Sequence, residues 1–389
     1  MAAQTARSIK REVSPLELFF DLVFVLAIGQ LTHHLSAHLT WHGAAETLIM
    51  LVAVCGVWVF TTFEVTLLDV ERVTTRAITI AVMGVALFMN AGITHAFDDG
   101  PWLFVVPLLM AVLGPSAYTA FSAPSAPLRG HFARVFIWGG VSASLWITGA
   151  LLDAGLRLWL WAVAAGIDLI GAFTAHPLPG RALRSQRLPF DTEHIFERMR
   201  LFLIILLGET VLGIGRAVAE NYSEPMTLLT AAGGFIALVS LWVVYFARGE
   251  QMAVAHASTV EDPIRIVHIG INSIYLVVIG LVMFAAGAEL VIAHPEETRA
   301  GIGGVLLLGG PALYVGSQAI YFGTTVGRDW VPRAVGAAAL AVGAAAAYWM
   351  PALAAVALVD LLAVVLAIYL ARVDATRAAG AVPIGEQPS

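Results

Sequence analysis

The stretch "SPLELFFDLVFVLAIGQLTHHL" (Ser14–Leu35) is long and apolar enough to cross a bilayer, because a span needs about 20 mostly apolar residues. It nevertheless carries Glu17 and Asp21, which lie one helical turn apart. A carboxylate near the middle of a membrane helix costs roughly 2.5–3.5 kcal/mol on insertion scales. The segment therefore predicts a membrane helix whose acids face protein or water and not lipid.

The composition of the whole chain indicates the same setting. Of 389 residues, 59% are hydrophobic and 12% are charged, whereas soluble proteins carry about twice that charged fraction. The single cysteine, Cys55, excludes a disulfide framework and any multi-cysteine metal site. The first apolar stretch is too long and too acidic for a cleaved signal peptide. We therefore expect an integral membrane protein whose main partner is the lipid bilayer, with no nucleic-acid partner and no cofactor.

The hydropathy pattern predicts an all-α bundle of about 12 transmembrane spans. Ten or eleven spans remain possible, because the turns at Asp98–Pro101 and Met350–Pro351 are very short. The predicted spans are approximately 16–35, 45–69, 76–97, 101–123, 131–152, 156–176, 194–217, 225–247, 264–292, 301–323, 333–350 and 352–372.

The distribution of positive charge predicts the orientation of these spans. With the N-terminus in the cytoplasm, 16 of the 21 Lys and Arg residues fall in cytoplasmic segments. Only three, Arg157, Arg216 and Arg299, fall outside, and Arg198 and Arg200 lie within a span. Cytoplasmic loops of membrane proteins carry an excess of Lys and Arg, so both termini are expected to be cytoplasmic.

An internal repeat is the next prediction. Aligning Gly29–Gln30 with Gly208–Glu209 makes the first and seventh spans similar, and the longest polar linker separates two sets of six. Because six is even, the two halves would be parallel repeats related by an axis along the membrane normal. The predicted segments are a basic cytoplasmic tail at 1–13, a six-helix half at 14–176, a cytoplasmic linker at 177–193, a second half at 194–373 and a cytoplasmic tail at 374–389.

Two motifs carry a family resemblance. "ELFFDLVFV" (Glu17–Val25) and "ERMRLFLIILLGE" (Glu197–Glu209) resemble the two signature stretches of the low temperature requirement protein A (LtrA) family of bacterial membrane proteins. The resemblance covers nearly the whole chain and implies a multi-pass protein of the bacterial cytoplasmic membrane, but no established biochemical activity. Arg200 stands where a small residue would be usual. A fainter similarity of Phe19–Phe24 to two-repeat potassium channels concerns architecture alone.

Charged and polar residues at membrane depth are the candidate functional residues, since they are costly in lipid and often mark ion pathways. Glu17 and Asp21 share a helix face, and Arg198 and Arg200 lie at the matching depth of the seventh span, so we expect a charge clasp between these spans. Candidates for an ion or transport pathway are Glu17, Asp21, Glu64, Glu209 and a polar stripe at i, i+4 and i+7, formed by His268, Asn272 and Tyr275.

Motifs for catalysis are missing from the sequence. It has no Walker sequence, no HExxH and no nucleophile elbow, so no catalytic residues are assigned. His33, His34, His38 and His42 crowd the first outer loop, but a solvated, pH-responsive loop is preferred to a metal site, and no metal ligands are assigned.

The preferred interpretation is a transporter or channel-like protein for a small ion or solute, with a cation or proton favoured. The alternatives are a non-transporting membrane scaffold or sensor and, as a minor one, an intramembrane enzyme acting on a lipid-soluble substrate. A homo-oligomer is possible. Without an ATP-binding motif, any transport is expected to be gradient-driven or passive.

Overall fold

The computed structural model describes residues 13–68, 72–123, 125–178, 192–220, 224–246 and 263–380; side chains are described for these except at 192, 263–268 and 378–380. Twelve α-helices and one 3₁₀ turn, Ile93–His95, lie in these ranges. The helices are α1 (Pro15–Ala37), α2 (Trp41–Leu68), α3 (Val73–Ala91), α4 (Pro101–Ser122), α5 (Ala126–Leu151), α6 (Ala154–Thr174), α7 (Thr192–Glu220), α8 (Pro225–Phe246), α9 (Pro263–Ala293), α10 (Gly301–Thr325), α11 (Trp330–Ala347) and α12 (Ala352–Gly380).

Each of the twelve helices contains a stretch long and apolar enough to cross a membrane. This confirms the predicted all-α architecture of about 12 spans. The two parallel six-helix repeats, the segment boundaries derived from them and the cytoplasmic placement of both termini stay predictions. Most of the predicted tails and linker, at 1–12, 179–191 and 381–389, lies outside the described residues.

Local sequence signals explain where many helices begin. Proline, which needs no backbone N–H partner in the first turn, is the first residue of α1, α4, α8 and α9. Ser125 caps α5 by accepting a hydrogen bond from the amide of Leu128. Asp153 caps α6 by accepting from the amides of Gly155 and Leu156. These caps provide acceptors for amide groups at the start of each helix, which have no partner within the helix.

The two short turns of the sequence prediction are present. Helix α3 ends at Ala91, earlier than the predicted end at residue 97, because the chain tightens into the 3₁₀ turn. Buried Arg157 holds this region by donating to the carbonyl oxygens of Ala96 and Asp98, and to those of Gly149 and Leu152 at the end of α5. This arginine therefore replaces water as the donor to orphan helix-end carbonyls.

The described residues form two compact units. One unit contains those within 1–27, 52–205 and 261–271, and thus α3 to α6 with parts of α1, α2, α7 and α9. Its interior includes the indole rings of Trp146 and Trp161, whose centroids are 5.3 Å apart, with the rings of Phe97 and Phe104 against Trp161. Aromatic packing of this kind anchors α4, α5 and α6 to one another.

The other unit contains the described residues within 28–51, 206–260 and 272–380, and thus α8, α10 to α12, most of α9 and the other parts of α1, α2 and α7. Here α9 and α10 run antiparallel with their backbones in close approach. A Cβ placed on Gly280 would lie 2.7 Å from the carbonyl oxygen of Gly310, and one on Gly287 would lie 2.8 Å from that of Gly303. Small residues at such crossings allow the tight backbone packing on which membrane helices depend.

Candidate functional site

Glu17 helps to cap the N-terminus of α1. Its Oε2 accepts hydrogen bonds of 2.9 Å from the backbone amide and the hydroxyl of Ser14, and the hydroxyl in turn accepts from the amide of Glu17. This is a capping box, which a Ser-x-x-Glu spacing before an apolar run signals. One carboxylate oxygen of Glu17 is therefore committed to the helix end, and Oε1 remains for other partners.

Helix α7 supplies the partners of Oε1. Nε2 of His194 lies 2.8 Å from it, and Nη1 of Arg198 lies 3.8 Å from it. His194 and Arg198 are four residues apart on α7, just as Glu17 and Asp21 are on α1. The pairs Glu17–His194 and Asp21–Arg198 share the same separation of 177 positions, so the two helix segments run parallel where they meet.

Asp21 is the deeper acid of this group. Its Oδ1 accepts hydrogen bonds of 2.8 Å from Nη2 of Arg198 and from Nε1 of Trp58 on α2. Arg198 also lies 5.6 Å from the ring centroid of Phe20, and Trp58 stacks on Phe202 at 4.1 Å. Aromatic rings therefore close the site on two sides, as cation–π and stacking contacts do in apolar surroundings.

Glu17, Asp21, His194 and Arg198 form what we call the charge cluster. All four side chains are buried, with relative exposures of 0%, 0%, 2% and 1%. Because these side chains are buried within the protein, they do not contact lipid. The apolar helix α1 can therefore hold two acids.

The charges in the cluster do not balance without a proton. Two ionised carboxylates and one guanidinium leave a net charge of −1, and Oδ2 of Asp21 is buried with no hydrogen-bond partner. A buried, uncompensated charge is strongly unfavourable. One proton on the His194 imidazole would bring the sum to zero. The geometry is thus suited to binding a single proton.

Arg200 does not join this cluster. Two residues after Arg198, it is turned by about 200° around the axis of α7, and its side chain is exposed. The expected partnership of Arg200 with the acids is therefore corrected, and His194 takes its place. The signal for His194 was the spacing His194–Arg198, which matches the spacing of the two acids on α1.

Glu209 lies in the second unit and pairs with an arginine of its own helix. Nη2 of Arg216 lies 2.8 Å from its Oε1, with the Glu209 side chain largely buried and that of Arg216 exposed. The carboxylate packs on Gly29 of α1, where an added Cβ would lie 2.6 Å from Oε1. Glycine at position 29 thus makes room for an acid in the interior of a span.

Glu64 of α2 has a simpler environment. Its side chain is 1% exposed, and Oε1 accepts a hydrogen bond of 2.7 Å from the hydroxyl of Thr119 on α4. Within the described residues, no cation lies within ion-pair distance of it. Glu64 therefore differs from the acids of the charge cluster, which face an arginine.

The structure describes the side chains of two of the three residues in the predicted polar stripe of α9. The side chain of His268 lies outside the described residues. Asn272 and Tyr275 are both buried, as expected for a stripe that faces protein, and Oδ1 of Asn272 has no hydrogen-bond partner. Asn272 and Tyr275 belong to the second unit, whereas the charge cluster belongs to the first.

Two of the four predicted histidines, His34 and His42, lie beside the carboxylate of Glu46. Nε2 of His34 lies 3.2 Å from Oε2 of Glu46, and Nε2 of His42 lies 3.3 Å from Oε1. Nδ1 of His38 instead donates a hydrogen bond to the carbonyl oxygen of His34. Among the described residues, no group of three or more His, Cys, Asp or Glu side chains is arranged to hold a metal ion.

Comparison with known proteins agrees with the motifs in this site. Residues 12–368 match the model of one protein family, described as bacterial low temperature requirement A protein (LtrA). A stretch of 251 residues, 64% of the chain, is 34% identical to the uncharacterised protein RA0937 of Rhizobium meliloti (strain 1021). That stretch spans 61% of the length of the relative.

Proposed function

The chain belongs to the bacterial low temperature requirement A (LtrA) family of multi-pass membrane proteins, and we propose that it is a transporter or channel-like protein for a small ion or solute, with a proton or another cation favoured. The proposal places it in the bacterial cytoplasmic membrane. The observation that carries it is the charge cluster of Glu17, Asp21, His194 and Arg198, buried inside a span.

The imbalance of charge in the cluster supports a proton or cation as the transported or coupling species. With one proton bound the cluster is neutral, and without it the net charge is −1, so gain and loss of one cation switch its electrostatic state. Ionisable residues within membrane spans commonly serve proton relays and ion pathways. Asp21 supplies a buried oxygen with no partner, to which an incoming cation could bind.

The proposed pathway residues are Glu17, Asp21, Glu64, Glu209, His268, Asn272 and Tyr275. Acids predominate among them, which disfavours an anion as the substrate. With no ATP-binding motif in the sequence, the proposed process is gradient-driven or passive. We propose no enzymatic activity, since an enzyme on a lipid-soluble substrate would need convergent catalytic groups, and no such set is assigned.

A second candidate is a non-transporting scaffold or sensor, in which the charge cluster holds the helices together and the protein can also form a homo-oligomer. It is favoured by the number of closed contacts in the charge cluster: Ser14, His194, Trp58 and Arg198 occupy three of the four carboxylate oxygens. Buried ion pairs of this kind can serve to specify packing alone.

Ion flux in proteoliposomes separates these candidates. The purified full-length chain is reconstituted, and flux is measured under potassium, sodium and proton gradients for the wild type, Glu17→Gln and Glu209→Gln. We expect wild-type flux of at least one cation and its loss in the folded variants. Absence of flux for every ion would contradict the cation proposal and favour the scaffold or sensor.

A further inference from the structure

Glu64 is a buried acid that the charge cluster does not include. It lies on α2, its side chain is 1% exposed, and its Oε1 accepts one hydrogen bond, from the hydroxyl of Thr119. Its other oxygen, Oε2, is buried and has no hydrogen-bond partner. A fully buried carboxyl group thus has one neutral donor and one open oxygen.

The surroundings of Glu64 are apolar. Close by on the chain, Leu67 packs with Leu128 and Phe132 of α5 and with Ala123, which follows α4. Phe60 and Phe63, which precede Glu64 along α2, join this group. Such surroundings disfavour the ionised form of a carboxyl group, because they offer neither water nor compensating charge.

Among the described residues of α4 and α5, no charged side chain forms an ion pair with Glu64. Helix α4 contains no Asp, Glu, Lys, Arg or His, and Tyr118 is its one titratable residue. On α5, His131 contacts Arg134 and the ring of Phe63.

The charged groups of the charge cluster, on α1 and α7, are engaged with one another. Arg198 and His194 of α7 bond Asp21 and Glu17 of α1. Among the described residues, no basic side chain lies within 4.0 Å of the Glu64 carboxyl group.

We propose that Glu64 is a proton-binding site. The proton resides on Oε2, the oxygen without a partner, and Oε1 is then the carbonyl oxygen that accepts the hydrogen bond from Thr119. Release of the proton leaves the carboxylate, which the Thr119 hydroxyl alone stabilises. This inference does not depend on the proposed transport function, since binding and release of a proton at Glu64 can be measured without flux.

The neutral acid at Glu64 contrasts with the acids of the charge cluster. Glu17 and Asp21 face Arg198, which favours their ionised forms, whereas Glu64 has no such partner. A reagent that modifies protonated carboxyl groups in apolar surroundings should therefore select Glu64 over Glu17 and Asp21.

Dicyclohexylcarbodiimide is such a reagent. The O–H of a carboxylic acid adds across one C=N bond, and the adduct rearranges to an N-acylurea without any leaving group. The full-length protein in detergent is treated at a series of pH values, and adducts are located by peptide mass spectrometry. We expect an adduct at Glu64, with incorporation falling roughly tenfold per pH unit above its titration point, and none at Glu17 or Asp21.

Two variants test the assignment of the adduct to Glu64. Glu64→Gln should lose both the adduct and the infrared carbonyl band of the protonated acid. Thr119→Val keeps the side-chain shape and removes the one donor to the carboxylate, so incorporation should extend to higher pH by roughly one unit. This second variant remains informative if Glu64→Gln does not fold.

The results that would overturn the assignment are equally specific. Absence of both the adduct and the infrared band at every pH would exclude a proton on Glu64. A pH profile unmoved by Thr119→Val would show that the titrating group is another residue. Adduct formation blocked by sodium or potassium at constant pH would assign the site to a metal cation instead.

Discussion

Nη2 of Arg198 lies 2.8 Å from Oδ1 of Asp21, although the two residues are 177 positions apart, and both side chains are buried. Trp58 donates to the same oxygen. Asp21 is therefore held within a span by a guanidinium and an indole, and the cost of its charge depends on α7.

Removing Arg198 should destabilise the protein severely. Arg198→Gln leaves Asp21 and Glu17 without their guanidinium, and loss of one partner of a buried ion pair costs about 3–5 kcal/mol. Arg200→Gln, two residues away and exposed, should change the free energy of unfolding by less than about 0.5 kcal/mol. Thermal unfolding of the two variants in detergent is the measurement, and equal effects would contradict the assignment of Arg198 to the cluster.

The double variant should recover part of that loss. With Asp21→Asn added to Arg198→Gln, no uncompensated charge remains at position 21. The pair should therefore be non-additive, as contacting residues are in double-mutant cycles. Strictly additive changes in unfolding free energy would show that the two side chains do not interact.

The close crossing of α9 and α10 should be intolerant of even one methyl group. In Gly280→Ala the new Cβ would lie 2.7 Å from the carbonyl oxygen of Gly310, and backbone cannot move aside as a side chain can. We expect a loss of about 1–3 kcal/mol from overpacking. Gly84→Ala is the matched control, because its Cβ would meet nothing within 4 Å. Equal unfolding temperatures for Gly280→Ala and Gly84→Ala would contradict the close approach of α9 and α10.

Gly29 and Gly208 should respond differently to alanine. Gly208→Ala introduces a Cβ into open space, and alanine in a helix interior is favoured over glycine by about 0.5–1 kcal/mol. Gly29→Ala should not be stabilised in this way, because its new Cβ would lie 2.6 Å from Oε1 of Glu209, and the Glu209 side chain would have to move. Unfolding temperatures of the two variants in detergent measure the difference, and a stabilised Gly29→Ala would argue against the packing of Glu209 on Gly29.

Asp329, in the turn between α10 and α11, should contribute a pH-dependent term to stability. Two hydrogen bonds from Arg377 hold the pKa of its carboxyl group below the ordinary value. Because the folded-state pKa is depressed, the stabilisation is fully present above the unfolded-state pKa of about 3.9 and is lost as the pH falls through the folded-state value. The pair is partly exposed, so the contribution should not exceed about 1 kcal/mol.

Asp329→Asn tests this term without changing the backbone. Asp329 has a φ of 59°, a left-handed conformation that asparagine also accepts. The difference in unfolding temperature between the wild type and Asp329→Asn should be constant near neutral pH and vanish in acid. A difference that persists in acid would indicate an effect other than the ion pair with Arg377.

The sequence was sufficient for the number of spans, because about 20 apolar residues between polar turns leave little alternative to a membrane helix. It was less reliable at helix ends. The 3₁₀ turn after Ala91 has no hydropathy signal, since Ile93 and Ala96 are as apolar as the helix before them. Its geometry depends on Arg157, which approaches from α6.

The charge cluster was predicted in part. The depth of Arg198 suggested a partner for Glu17 and Asp21, but depth alone could not separate Arg198 from Arg200. Which of the two faces α1 depends on the rotation of α7 about its axis, and packing decides that rotation. His194 was missed because it lies at the end of a polar linker, where hydropathy gives no indication that a side chain is buried.

The central claim is that the charge cluster binds a proton and couples it to transport, and His194→Gln tests it most directly. Glutamine can still donate a hydrogen bond to Glu17 but cannot carry the extra proton. Cation and proton flux into proteoliposomes is measured across a series of pH values for the wild type and the variant, with Arg200→Gln as the control. The account predicts that wild-type flux depends on pH and that His194→Gln loses either the flux or its pH dependence. A folded His194→Gln protein with wild-type flux and wild-type pH dependence would contradict it.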